Sequence, residues 1–244
     1  MDGRMDWYPL YNSVRIAAVS TAIVYFLGIF LANVVARAPR VVKGVLDVVL
    51  TLPLVLPPTV VGYLLLRVFG PRRTVGAWLL DTFGIKLTMV WHAAILATVV
   101  VSFPLMYRTA RGAFESFDEN LADAARTLGR SERWIFWRVK MPCCQQGIVA
   151  GAVLAFARAL GEYGATAMIC GYTPGSTATV STTVYQLWRT NDDAGAFAWV
   201  MVNLGISAVV LLAMNWFEQK EKSGAKPGTK SAAKPGSVRL GGAR

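Results

Sequence analysis

Long apolar runs separated by shorter polar links dominate the chain. A helix crossing about 30 Å of hydrocarbon needs about 20 mostly apolar residues. Five segments meet that requirement: 14–36, 48–66, 87–107, 147–170 and 196–216. Each run is continuous, and none shows the ten-residue alternation of a membrane barrel strand. The second and third carry no charge, although the second holds Pro53, Pro57 and Pro58. The fourth differs from the rest because Arg158 and Glu162 lie inside it. The first run is too long for a cleavable signal peptide and lacks a basic segment followed by a small-residue cleavage site. The predicted fold is therefore an all-α membrane protein with five spanning helices. Its parts are a short outer N-terminus (1–11), a membrane domain (12–217) and a polar tail (218–244).

Composition agrees with this pattern. Of the 244 residues, 55% are hydrophobic and 16% charged, and the mean hydropathy is +0.45. An average soluble domain is roughly a quarter charged, so a water-coated globule is excluded. The net charge of +11 does not indicate nucleic acid, because much of it belongs to the tail. Of the Lys and Arg outside the spans, 17 fall on one side and six on the other if the N-terminus is outside. The expected topology is thus N-out, C-in. His92, Cys143, Cys144 and Cys170 show no metal-ligand spacing, so no metal site is expected. The tail segment 224–231 approaches a phosphate-loop pattern but has Thr229 where the second Gly belongs, and no strand precedes it. The tail is expected to be disordered and to lie near anionic lipid.

The longest polar link is also the most patterned. Asn120–Leu128 predicts a short helix with Leu121, Ala124, Ala125 and Leu128 at i, i+3, i+4 and i+7. Asp118, Glu119 and Asp123 sit early in it, and Gly129 stands where a left-handed residue closes a helix. Ser131 is placed to cap a second helix running through Arg138, which Pro142 is expected to end. The face is small and aliphatic, without the Trp or Phe of a helix lying on lipid, so it suits a protein groove.

These residues resemble a known family. Asp123-Ala124-Ala125, three residues, Gly129, nine residues, then Val139-Lys140-Met141-Pro142 is similar to the EAA loop of type I ABC importer permeases. The departures are Asp for Glu, Val for Ile and Met for Leu. Leu52–Tyr63 resembles molybdate permeases more than sulfate permeases, while Gly161–Ala165 and Pro174–Thr177 resemble both. The resemblance implies a homodimer in a prokaryotic cytoplasmic membrane. It would clamp two copies of a cytoplasmic ABC ATPase and receive molybdate from an extracytoplasmic oxyanion-binding protein. ATP and Mg would belong to the ATPase, leaving this chain without cofactor or catalytic residue. Leu121, Asp123, Ala124, Ala125, Leu128, Gly129 and Pro142 would form the ATPase-coupling element, within a loop spanning 115–142. Sulfate and tungstate remain rival cargoes.

Two further features are read from the residues themselves. Prolines at 53, 57 and 58 remove N–H donors and clash with carbonyls four back. The result is either a kinked pore-lining helix, with Thr51, Thr59 and Tyr63 offering hydroxyls around Pro57 and Pro58, or a kink that serves packing. Arg158 and Glu162, four apart, share one helix face. Charges at membrane depth are costly and by default functional. The pair either neutralises itself within the packing, or Arg158 eases passage of a dianion while Glu162 keeps it from trapping the ion. Gly161, Gly164 and Gly171 predict an interrupted fourth helix, and Gly147 and Gly151 predict a close helix contact. Tight discrimination among oxyanions suits the binding protein, since a site that must release its cargo has to be weak. A secondary transporter would show two repeats and coupling acids, and an enzyme would need a nucleophile–base pair or metal cluster. Neither pattern is present, Glu162 alone being a candidate coupling acid, so a secondary transporter without an ATPase partner stays a distant alternative.

Overall fold

The computed structural model describes residues 6–224, with side chains described to Ala213. Residues 1–5 of the expected outer N-terminus, and the part of the tail and of the phosphate-loop-like segment from 225 onward, lie outside the described residues. The described chain is helical: α1 (Tyr8–Ala36), α2 (Arg40–Val55), α3 (Pro58–Phe69), α4 (Thr74–Phe83), α5 (Trp91–Glu115), α6 (Glu119–Thr127), α7 (Glu132–Ile135), α8 (Met141–Leu160), α9 (Gly164–Cys170), α10 (Val180–Arg189) and α11 (Asp193–Gly224). Four stretches are long and apolar enough to cross a membrane singly, and α2 with α3 makes a bent fifth.

The core is the contact of α1 with α5 and of α5 with α8. Small residues allow it. Ala93, Ala94, Ala97 and Ala110 of α5 are buried, as are Ala17 and Ala32 of α1. Gly28 lies so close to α5 that a Cβ there would meet Met106 Cγ at 2.6 Å, and at Gly151 it would meet Met106 Sδ at 3.0 Å. Gly147 packs on Ala113 in the same way. The Gly147/Gly151 pair thus makes a close contact with α5, the approach that small residues permit in a membrane.

The structure corrects four sequence expectations. Residues 48–66 are not one kinked helix: α2 and α3 meet at 110°. The reason is local. A residue before proline is driven out of the α region, and here Leu56 and Pro57 both precede prolines. Both are extended, with ψ of 140° and 136°. Second, Pro142 does not end a helix. Residues 132–160 run on as one continuous helical stretch, with a π-helical turn at Phe136–Lys140 just before it. The wider turn bonds Met141 N–H to Phe136 O, which suits a proline that brings no N–H of its own at the start of α8. Third, helix continues beyond the expected start of the tail, since α11 reaches Gly224. The third span also sits later than expected, at Trp91–Glu115. The short helices α4 and α10 were not expected; Thr179 and Thr182 form a reciprocal capping box at the start of α10. The fourth run is interrupted as the glycines predicted, between Leu160 and Gly164.

Candidate functional site: a braced polar link and two helix breaks

The link after α5 folds into a braced helix. The Asp118 carboxylate accepts the Asn120 N–H at 3.0 Å, capping α6. At the other end Gly129 has φ of +71°. There Arg130 N–H donates to Ala125 O at 3.2 Å and Gly129 N–H to Arg126 O at 2.9 Å, turning the chain back sharply. Ser131 accepts the Trp134 N–H and starts α7. Ala122 and Ala125 are buried against Ile135, with Phe117 and Val139 packed around them. Arg126 donates to Glu132 at 2.6 Å and pairs with Asp123. Those hydrogen bonds, the one to Glu132 first, hold the guanidinium above its ordinary pKa. Lys140 is buried, lies 3.6 Å from Glu119, and faces the rings of Phe114 and Phe117.

The predicted apolar stripe therefore divides. Ala125 faces inward with Ala122, while Leu121, Ala124 and Leu128 are exposed, Leu128 at 78%. The exposed three form an aliphatic ridge on a helix whose other side is fastened to α7 and the π turn. Asp123 is committed to Arg126, and Pro142 is the second residue of α8, the helix that continues toward Arg158.

The second group lies at the two helix breaks. Glu162 is buried, and its Oε1 accepts the Ala165 N–H at 2.7 Å, satisfying an orphan donor at the start of α9. Its Oε2 faces Arg158 Nη1 at 2.6 Å as a charge contact rather than an aligned hydrogen bond. The Arg158 side chain remains 29% exposed. The α2–α3 break meets the α8–α9 break directly. A Cβ at Gly164 would lie 3.0 Å from Pro58 Cβ and 3.2 Å from Thr59 N. Gly62 packs equally closely on Ala165 and Met168. Pro58, Thr59 and the turn carrying Glu162 are thus brought together, with Pro57 exposed beside them. Thr51 is not part of this group: its hydroxyl donates to Asp47 O at 2.6 Å within α2. Tyr63 is half exposed and lines a cavity of about 280 Å³ with Arg67 and Arg73.

Sequence reasoning missed a cluster joining α2 to α5. Lys43 pairs with Glu115, Asp47 pairs with Arg111, and Tyr107 donates its hydroxyl to Asp47. Arg111 also reaches Glu115 at 3.2 Å. The signal was present as i, i+4 charges in both segments, but the apolar windows stop at residues 48 and 107 and so leave these charges outside. Among the described residues no group of His, Cys, Asp and Glu is arranged to hold a metal ion.

An all-helical bundle with broken spans and a braced helix at one end is the architecture of a type I ABC importer transmembrane domain. The chain superposes on the crystal structure of a bacterial ABC transporter involved in alginate import with a TM-score of 0.72 at 18% identity, covering 87% of this chain and 78% of that one. Sequence takes the assignment further. The chain belongs to the family of binding-protein-dependent transport system inner membrane components, whose pattern matches residues 24–223. It is 39% identical over 222 residues to the molybdenum transport system permease protein ModB of Escherichia coli (strain K12), covering 90% of this chain and 97% of the relative. It is 30% identical over 234 residues to the "probable sulfate transport system permease protein cysT" of Zygnema circumcarinatum, covering 89% of this chain and 80% of the relative. The chain is thus an integral membrane permease component of an ABC importer.

Proposed function

We propose that two copies of this chain form the translocation pathway of a molybdate importer in a prokaryotic cytoplasmic membrane. A cytoplasmic ABC ATPase docks on each copy, and an extracytoplasmic binding protein delivers the anion. The observation that carries this reading is the ridge of Leu121, Ala124 and Leu128, free on a helix that is otherwise pinned by Ala122, Ala125 and two ion pairs. A helix held on one side and bare on the other suits an ATPase groove. The molybdate assignment is supported by the similarity to ModB, which extends over nearly all of both chains.

In this mechanism ATP and Mg bind the partner ATPase. Closure of the ATPases pushes α6, and α7 with the π turn passes the displacement into α8. The partner biases two packings, inward-open and outward-open, by its differential affinity for them. At the end of α8 the motion reaches the turn that carries Glu162. Arg158 eases passage of a dianion because its guanidinium is partly exposed, while Glu162 offsets its charge so that the anion is not trapped. Thr59 and Tyr63, both exposed, offer hydroxyls beside that route. The orientation follows the basic residues of the α6–α7 region, which face the cytoplasm.

The test is uptake by vesicles holding the chain with its partner ATPase and binding protein. Accumulation of labelled molybdate that requires ATP is expected, with excess sulfate competing poorly. Equal competition by sulfate would assign the cargo to the sulfate branch, and failure to capture any ATPase would refute the importer reading.

A further inference from the structure

We propose that Lys43, Asp47, Arg111 and Glu115 form a second transmission strut, carrying motion from the base of the coupling loop into α2 and on to the α2–α3 break. This rests on the reading of α6 as the ATPase-coupling helix. The need for a strut follows from how weakly α2 is otherwise held. No residue of α2 is buried. Val41, Val45, Val48, Val49, Leu52 and Val55 are all exposed. Leu46 and Leu50 touch the core, but only as partly buried side chains.

Geometry makes the four charges a lock on register. Lys43 meets Glu115 and Asp47 meets Arg111, so the two helices run antiparallel with paired signs. Sliding α2 by one helical turn, about 5.4 Å, would set Lys43 against Arg111 or Asp47 against Glu115. Either shift replaces attraction with repulsion, so displacement of α5 along its axis takes α2 with it. The four side chains are between 23% and 35% exposed, so water and salt screen them less than a fully exposed pair. The strut is also in the right place. Glu115 is the last residue of α5, and α6 begins at Glu119. From Asp47, α2 continues to Val55, beyond which α3 carries Gly62 onto α9. The turn bearing Glu162 thus receives motion along α8 and, through this strut, along α2 and α3.

The test compares two variants in the complete complex with its ATPase and binding protein. Asp47→Asn with Glu115→Gln removes one charge from each cross-helix pair. Lys43→Glu, Asp47→Lys, Arg111→Glu and Glu115→Lys together reverse every sign and keep every pairing. The neutralised variant is expected to assemble and hydrolyse ATP but to accumulate labelled molybdate about tenfold more slowly, within the range of ordinary coupling between sites. Its hydrolysis should no longer rise with the loaded binding protein. The reversed variant is expected to recover uptake to within about threefold of the unsubstituted complex, on that same scale. Unchanged uptake in the neutralised variant would overturn the proposal, as would a loss that reversal fails to recover. Failure of the underlying functional reading shows separately, in an unsubstituted chain that captures no ATPase.

Discussion

Gly129 offers a clean perturbation because the structure separates two reasons a glycine can be required. Its φ is +71°, yet a Cβ built on it would meet nothing within 4 Å. Bulk is therefore tolerated there, and the cost of a side chain is conformational. For an L-residue the left-handed region costs roughly 1–2 kcal/mol, with Asn visiting it more readily than most. At about 1.4 kcal/mol per factor of ten, Gly129→Ala should depopulate the tight closure of α6 by about fivefold to thirtyfold. Gly129→Val should do at least as much, because branching at Cβ adds to the strain at positive φ. Gly129→Asn should cost least of the three. The measurement is molybdate accumulated per ATP hydrolysed in reconstituted vesicles, with membrane insertion checked by yield. The expected order is Gly, Asn, Ala, Val. If Ala matches Gly, or if effect follows side-chain volume rather than ease of the left-handed conformation, the turn is not what transmits force.

Other outcomes follow from the same packing. Ala124→Arg should abolish ATPase capture in pull-down while leaving thermal unfolding in detergent unchanged, since Ala124 is exposed. Ala125→Arg should lower the unfolding temperature as well, because the side chain points into the Ile135 cluster; identical melting of the two would contradict the division of the stripe. Gly62→Ala sets a Cβ 2.8 Å from Ala165 Cα and should destabilise the bundle by about 1–3 kcal/mol, the usual overpacking cost. Gly112→Ala, with open space around it, serves as the control in the same melting experiment and should hold or raise stability, since Ala favours helix over Gly by up to about 1 kcal/mol. Glu162→Gln keeps an acceptor for Ala165 N–H but leaves Arg158 without its anion, so uptake should slow while assembly persists. Normal uptake kinetics in that variant would remove the pair from the transport path.

Local rules carried most of what could be read in advance. The apolar runs marked the spans because membrane helices leave no alternative for their backbone, and Gly161 and Gly164 marked the interruption before α9. The Pro57-Pro58 break was equally local, since two successive residues precede prolines, but the apolar run hid it by continuing across. Pro142 misleads for the opposite reason. Alone it argues for an end, and only the adjacent π turn, with Lys140 packed on Phe114 and Phe117, lets the helix continue. The stripe on α6 was ambiguous because Ala122, Ala124 and Ala125 are the same size and hydropathy. Which of them faces inward depends on Ile135 and Val139 across the turn. The Lys43–Glu115 cluster needed tertiary knowledge, because neither segment alone states its partner.

Met106 has a consequence beyond packing. Its side chain is buttoned between Gly28 on one neighbour and Gly151 on the other, so α1, α5 and α8 share a rivet there, and Gly147 against Ala113 fastens α8 to α5 a second time. Three rods fastened at more than one point can lean together but cannot spread. Spin labels on them should hold their mutual spacings through a whole transport cycle, leaving the lightly packed α11 to supply the breathing. Oxidising that one thioether to a sulfoxide would swell the rivet, and would be expected to jam the machine before it melted it.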